Sequence, residues 1–337
     1  MSAQLPFPQE LPEGGVPGIE FRTFADTRHA DPAYHYEISL PNAWVQRETP
    51  PPGKRGGLDF VEMARFGNEV AGASVAAVTT ERDFDPASTL EIDLAKRGDV
   101  VIRHRTRPTR AGTLPDVLSL CDGGRMIART VCVKDGCRMF RVRAECPAQM
   151  YEEAALAVFA CVGSHRLLAP SGNPFAEETA GVRVGDGPRA STKRFASWAV
   201  TETGSPLEGL EAVDLKTSHE GELGGVVRFG FAPRERGLSA HDVHVAYMSG
   251  LRDNGLAPFS AELGEVEPAG DFTAAFLAEP DISKGDPNGE APFLVLDHPL
   301  GVVVLGYYGP TREADPFWWA VVTRAFEMAR DSVRFEA

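Results

Sequence analysis

The chain has 337 residues, of which 43% are hydrophobic and 24% are charged. This is a globular composition with enough apolar material for two cores, so we expect two domains. The formal net charge of −14 argues against a nucleic-acid partner, because phosphate contacts need a cationic surface.

No membrane insertion is expected. The longest apolar run, from Pro299 to Tyr308, is about half the length of a membrane-spanning helix, and the first residues have neither a basic start nor an apolar run. We therefore expect a cytoplasmic protein. Residues 1–170 have a net charge of −2 and residues 171–337 a net charge of −12, so the halves are expected to present different surfaces.

The first half predicts strands, one helix, more strands and a closing helix. Residues 1–33 are rich in proline and glycine and predict an extended arm. Ser88, with Glu91 three residues later, has the spacing of a helix N-cap and capping box. The predicted strands cover 34–40, 58–66, 73–80, 100–110 and 114–121, and the predicted closing helix covers 148–168.

Asp135-Gly136 predicts a hairpin between Met126–Val133 and Cys137–Glu145, because this dipeptide suits a tight two-residue turn. Pairing across that turn places Val131 opposite Phe140. The two predicted strands then share one apolar face.

The second half repeats this order after a linker-like stretch at residues 169–193. Ser239 and Gly255 bracket one predicted helix, and Asp315 is the predicted N-cap of the last helix. The predicted strands cover 196–203, 210–217, 224–231, 272–278, 293–296 and 302–308.

This order predicts an α+β fold of two tandem α/β/α-sandwich-like domains, at residues 34–168 and 194–337. Each domain is expected to be an antiparallel sheet flanked by helices, with a long closing helix. Strands interrupted by single helices favour antiparallel pairing over alternating βαβ units.

The first half also resembles a known family. The segment YEISLPNAW (Tyr36 to Trp44) is followed by a small-residue strand, the capped helix STLEIDLAKRG, the hairpin and a closing helix ending near SHRL (Ser164 to Leu167). This order is similar to the PsbP-like fold, which the Ran-binding Mog proteins and the bacterial DcrB-like family share. The second half resembles it more weakly, because it lacks the Leu-Pro-x-x-Trp opening.

The resemblance implies a protein-binding role, since members of that fold mostly bind other proteins and share no catalytic motif. The DcrB-like group includes the Eag-type chaperones of type VI secretion. We therefore expect a non-enzymatic adaptor, as a monomer or homodimer, whose partner is a secreted effector or an assembly component. A structural subunit of a larger assembly is the alternative.

Basic residues form the clearest candidate binding surface. Arg103, Arg105 and Arg107 alternate along one predicted strand and share a face, as do Arg141 and Arg143 in the hairpin. If the two faces coincide, they form a docking surface for an acidic partner through bidentate pairing with carboxylates. The alternative is a solvated sheet face with local ion pairs.

Trp318 and Trp319 are the second candidate, because they follow Phe317 at the start of the last predicted helix. Consecutive helix positions point about 100° apart, so these rings cannot all enter one core. A tryptophan that projects sideways is a common interface anchor.

Enzyme chemistry has little support in the sequence. His241 and His244 have a spacing that two metal ligands could use, but the HExxH motif is absent. Cys121 precedes Asp122-Gly123-Gly124 at a predicted strand end, and no histidine is placed near it by local sequence. We expect no cofactor and no metal.

Overall fold

The computed structural model describes residues 5–49, 59–109, 112–203, 207–219, 222–256, 262–268 and 270–336. The chain divides into two compact units, an N-terminal unit up to Ala176 and a C-terminal unit from Glu177 onward. Their sheets are antiparallel and carry helices, which confirms the α+β fold class. Within these residues no helix is both long and apolar enough to cross a membrane.

The N-terminal unit contains ten described strands and two α-helices. The helices are α1 (Pro86–Lys96) and α2 (Tyr151–Gly163). The strands are β1 (Phe21–Asp26), β2 (Tyr36–Pro41), β3 (Val45–Arg47), β4 (Val61–Gly67), β5 (Gly72–Thr79), β6 (Val100–Thr109), β7 (Gly112–Cys121), β8 (Met126–Asp135), β9 (Arg138–Pro147) and β10 (Arg166–Leu167).

These strands form a seven-stranded sheet in the order β3-β4-β5-β9-β8-β7-β6 and a three-stranded sheet in the order β1-β2-β10. Helix α2 contacts β8, β9 and β2, and α1 contacts β7 and β8. The main apolar core lies on the α2 side, where Val142 and Ala144 of β9 pack with Val158 of α2 and Ile38 of β2. The opposite face of the sheet carries α1.

Two local predictions are corrected in this unit. Helix α1 begins at Pro86 instead of Ser88, because the Asp85 side chain accepts a hydrogen bond from the amide of Ala87 and proline suits the first helical turn. In the hairpin, Asp135 pairs with Arg138, so Gly136 and Cys137 form the loop and Val131 faces Val142. The turn lies one residue further along the chain than predicted.

The C-terminal unit contains eleven described strands and two α-helices. The helices are α3 (Ala240–Asp253) and α4 (Pro316–Asp331). The strands are β11 (Thr179–Val184), β12 (Arg189–Phe195), β13 (Ala199–Thr203), β14 (Glu211–His219), β15 (Glu222–Pro233), β16 (Gly264–Val266), β17 (Ala274–Ala278), β18 (Gly289–Glu290), β19 (Phe293–His298), β20 (Gly301–Pro310) and β21 (Arg334–Glu336). The predicted caps Ser239 and Asp315 are confirmed.

The two units have the same topology. The large sheet of the C-terminal unit has the order β13-β14-β15-β20-β19-β17-β16, with β18 attached to β20, and its small sheet has the order β11-β12-β21. Apart from β18, this repeats the N-terminal unit strand for strand. In both units the small sheet joins two strands from the start of the unit with one that follows the closing helix.

The small sheets change the predicted boundaries. Strand β1 lies within the predicted arm at residues 1–33, and β11 and most of β12 lie within the predicted linker at 169–193. The proline and glycine content of both stretches predicts irregular structure instead. Their strands form by pairing with distant residues, since β12 pairs with β21 across most of the unit.

Glycines in β15 let α4 approach the sheet. A Cβ atom on Gly224 would lie 2.7 Å from the Trp318 ring, and one on Gly225 would collide with Val322. Hydrogen is the only substituent that fits at either position while α4 keeps its place.

Gly225→Ala should therefore destabilise the C-terminal unit by about 1 to 3 kcal/mol through overpacking, as measured by urea unfolding. Adding Val322→Ala should restore part of the loss, because it removes the colliding methyl groups. Gly181→Ala in β11 is the control, since nothing lies within 4 Å of its added Cβ. Equal effects at Gly181 and Gly225 would contradict this account.

A histidine, His165, packs against two core aromatic rings of the N-terminal unit. The His165 ring lies 5.4 Å from the Tyr36 ring and 5.8 Å from the Phe140 ring, measured between centroids. Both ring nitrogens are buried, with no hydrogen-bond partner among the described residues. Burial lowers the pKa of His165 from 6.5 to about 4.

Acid should destabilise this unit through His165. The unfolded chain takes up a proton on this ring at higher pH than the folded chain, so the penalty is absent above pH 7 and grows as the pH falls toward 4. Between pH 7.5 and 5 this amounts to about 2 kcal/mol. His165→Phe should remove that part of the pH dependence in urea unfolding. Parallel stability curves for the two proteins would contradict the prediction.

Candidate protein-binding surface

Strand β6 is an open edge of the large sheet in the N-terminal unit. It spans ten residues, and within the described chain it pairs with β7 alone. The strand in the same position of the C-terminal unit, β16, has three residues. An edge strand presents unpaired N–H and C=O groups, so a long one can accept a further strand.

The first half of β6 also exposes apolar side chains. Val100, Val101 and Ile102 are consecutive β-branched residues with exposed fractions of 62%, 44% and 37%. The register with β7 shifts between Val101 and Arg103, which marks a bulge. Pro108 and the bulge are features that limit indiscriminate edge pairing, so this edge favours a partner of defined geometry.

The predicted arginine residues of β6 do not form one open surface. Arg105 is half-buried, and its Nε donates to Asp116 Oδ2 at 2.8 Å. Arg129 of β8 reaches the same carboxylate at 2.8 and 2.7 Å and is fully buried. Arg103 is half-buried beside them, whereas Arg107 is exposed.

Arg141 and Arg143 lie on the opposite face of the sheet, under α1. Arg141 donates to Asp93 at 2.7 Å, and Arg143 donates to Asp99 at 2.5 Å. Both arginine side chains are almost fully buried. The two faces predicted from the sequence therefore do not coincide, and Arg141 and Arg143 join the sheet to the α1 region instead of presenting a docking surface.

The two tryptophans at the start of α4 are half-buried and packed. Trp318 lies against Gly224 of β15. Trp319 Nε1 donates to Glu290 Oε1 at 3.0 Å, and the Arg312 guanidinium lies 5.3 Å from the Trp319 ring centroid. The spacing of the two tryptophans predicts that a ring projects sideways from α4. In the structure both rings contact residues of their own unit.

Cys121 and the histidine pair occupy separate environments. Cys121 is buried, and burial raises its pKa, so it is a thiol at neutral pH. His241 and His244 rings are 6.3 Å apart, and His244 stacks on Phe293. No group of three or more metal-ligating side chains occurs among the described residues.

A cleft of about 690 Å³ lies in the N-terminal unit between the small sheet and strands β4 and β5. Its apolar wall includes Met63 and Ala77. Its polar lining includes Asp26, which pairs with Arg28, and Tyr34, whose hydroxyl hydrogen-bonds to Thr79. An apolar wall with a few polar groups can hold an apolar side chain.

Sequence reasoning missed the residues that organise the β6 face. Arg129 lies on a different strand from the alternating arginines, and a single carboxylate such as Asp116 makes no pattern in a strand sequence. Their contact depends on the pairing of β7 with β8 and of β6 with β7. Period-two alternation in β6 was the usable signal, and it placed Arg103 and Arg105 on one face.

No protein-family model matches the chain, and no curated protein matches it. Among solved structures, the chain is similar to cyanobacterial PsbP (CyanoP) from Synechocystis sp. PCC 6803, with 13% identity and a TM-score of 0.33 over 46% of this chain and 96% of that chain.

It is also similar to the type VI secretion immunity protein TplEi from Pseudomonas aeruginosa, with 12% identity and a TM-score of 0.21 over 93% of this chain and 96% of that one. A chain of the Tle4–Tli4 complex matches with 10% identity and a TM-score of 0.22, over 89% and 94%. These are distant likenesses that assign no family, so the PsbP-like resemblance stays a prediction at that level.

The buried Arg141–Asp93 pair gives a testable distinction between a structural and a binding role. Arg141→Ala leaves the Asp93 carboxylate buried without this partner, and we expect a loss of about 3 to 5 kcal/mol in urea unfolding. Arg141→Met combined with Asp93→Leu should recover most of it. Arg107→Ala, at an exposed site on β6, is the control and should change stability by less than about 0.5 kcal/mol. Wild-type stability of Arg141→Ala would contradict this role.

Proposed function

We propose that this chain is a non-enzymatic protein-binding protein that holds an extended segment of its partner on the open edge of β6. The observation that carries the proposal is the length of that edge together with the exposed Val100, Val101 and Ile102. Main-chain hydrogen bonds to the edge provide affinity, and the apolar side chains provide specificity.

A comparison of the edge strands in the two units supports this assignment. They share one topology, yet the C-terminal unit has the short β16 at the position of β6. The other outer strands of the two large sheets, β3 and β13, have three and five residues. Short edge strands are a common protection against unwanted pairing, so a ten-residue edge is an exception that a binding role explains.

The finer proposal concerns the kind of partner. We propose an adaptor or chaperone that acts in the cytoplasm on a secreted effector or another component of a type VI secretion or related contractile-injection system. The support is the resemblance of residues 36–168 to the DcrB-like group, which contains the Eag-type chaperones.

Lysine substitutions on the edge test the proposal. Val101→Lys combined with Ile102→Lys should keep the fold, because both side chains are exposed, and should reduce partner capture from native cell extract about tenfold or more. Capture is measured by quantitative mass spectrometry against the wild-type chain.

Val200→Lys is the matched control, since Val200 is 43% exposed on β13, an outer strand of the other large sheet. It should leave capture unchanged. Equal capture by the wild-type chain and the β6 variant would overturn the proposed role of this edge.

A further inference from the structure

The inward face of β6 carries an excess of positive charge. The guanidiniums of Arg103, Arg105 and Arg129 all lie within 5.3 Å of the Phe7 ring centroid. Among the described residues, Asp116 is the one carboxylate that hydrogen-bonds to them. The cluster therefore holds two positive charges that this carboxylate does not neutralise.

Two buried polar atoms of this cluster lack partners. Arg129 Nη1 and the Tyr151 hydroxyl are buried, and neither has a hydrogen-bond partner among the described residues. Burial raises the pKa of the Tyr151 hydroxyl to about 12, and the positive charges of Arg129 and Arg103 act against that rise. A buried guanidinium donor without an acceptor is costly, and an anion is the acceptor that such a group favours.

The segment from Leu5 to Pro8 covers the cluster with neutral groups. Arg103 Nη1 donates to the Leu5 carbonyl at 3.0 Å, and Arg129 Nη2 donates to the Pro8 carbonyl at 2.7 Å. Within the described chain, residues 5–11 make no backbone–backbone hydrogen bond. Hydrogen bonds from the arginine side chains to its carbonyl groups, together with the packing of Leu5 and Phe7 against the apolar core, hold the segment. It can therefore leave without breaking a strand.

We propose that the arginine cluster is a carboxylate-binding site for an acidic segment of a protein partner, and that Leu5–Pro8 is a displaceable cover over it. The inference rests on the proposed protein-binding function and adds the chemistry of the partner. An aspartate or glutamate side chain supplies the anionic acceptor that carbonyl groups only partly replace. Planar guanidiniums bind carboxylates through paired hydrogen bonds.

A cover that competes with the ligand lowers the apparent affinity by the fraction of molecules that are open. Deleting residues 2–9 should therefore tighten the binding of a fluorescein-labelled hexaglutamate peptide about tenfold or more, measured by fluorescence anisotropy. A hexaglutamine peptide of the same length is the neutral probe and should not bind.

Arginine substitutions locate the site within the shortened chain. Arg103→Gln should abolish the gain in affinity, whereas Arg107→Gln should leave it intact, because Arg107 is exposed on the same strand and outside the cluster. Equal losses from both substitutions would show general charge attraction and overturn the site. Unchanged affinity after the deletion would overturn the cover.

A measurement on the full chain decides the question if the shortened chain does not fold. With 4-fluorophenylalanine placed at position 7 alone, the ¹⁹F resonance should move toward its solvent-exposed value as hexaglutamate is added. No change at saturating peptide would overturn the displacement. These peptide tests do not use the β6 edge, so a failure here is separate from a failure of partner capture by Val101 and Ile102.

Discussion

The pairing of β5 with β9, and of β15 with β20, is the constraint on which both units depend. In each unit, the strand before the first helix pairs with the last strand before the closing helix. The paired residues are 59 to 82 positions apart in the chain, so loop closure makes the pairing costly until the core forms. Once it forms, the first helix lies on one face of the sheet and the intervening strands turn outward to end at β6 or β16.

Charged side chains are built into the interior of the N-terminal unit on both sides of its sheet. Lys134 and Asp83 form a fully buried pair on the α1 side, the side that also carries the Arg141 and Arg143 pairs. On the α2 side, Arg129 lies between the Phe7 and Phe159 rings at 4.5 and 4.4 Å. Buried pairs add less stability than apolar contacts of equal volume, but removing one partner is expensive. We therefore expect these pairs to restrict how the elements dock more than they strengthen the fold.

Features that depend only on neighbouring residues were predicted well from the sequence. Features that depend on pairing with a distant strand were predicted poorly. Ser239 and Asp315 were identified as caps because a cap bonds within its own first turn. The Asp135-Gly136 signal found the hairpin but placed its turn one residue too early, because Asp135 pairs with Arg138. Strand β11 was missed, since its partner and position come from the small sheet and its own composition resembles a linker.

The same limit explains why the sequence does not predict which face of the sheet each pair of arginine residues occupies. Alternation places Arg103 with Arg105, and Arg141 with Arg143, but the face each pair occupies is set by the strand order β9-β8-β7-β6. The register then aligns Arg105 with Asp116 and leaves Arg141 facing α1. Strand β6 consequently offers two surfaces of different chemistry, an outer edge of backbone groups and an inner face of guanidiniums. A partner strand that carries an acidic residue at the right spacing would contact both surfaces. Contact with one surface alone would need only the strand or only the acidic residue.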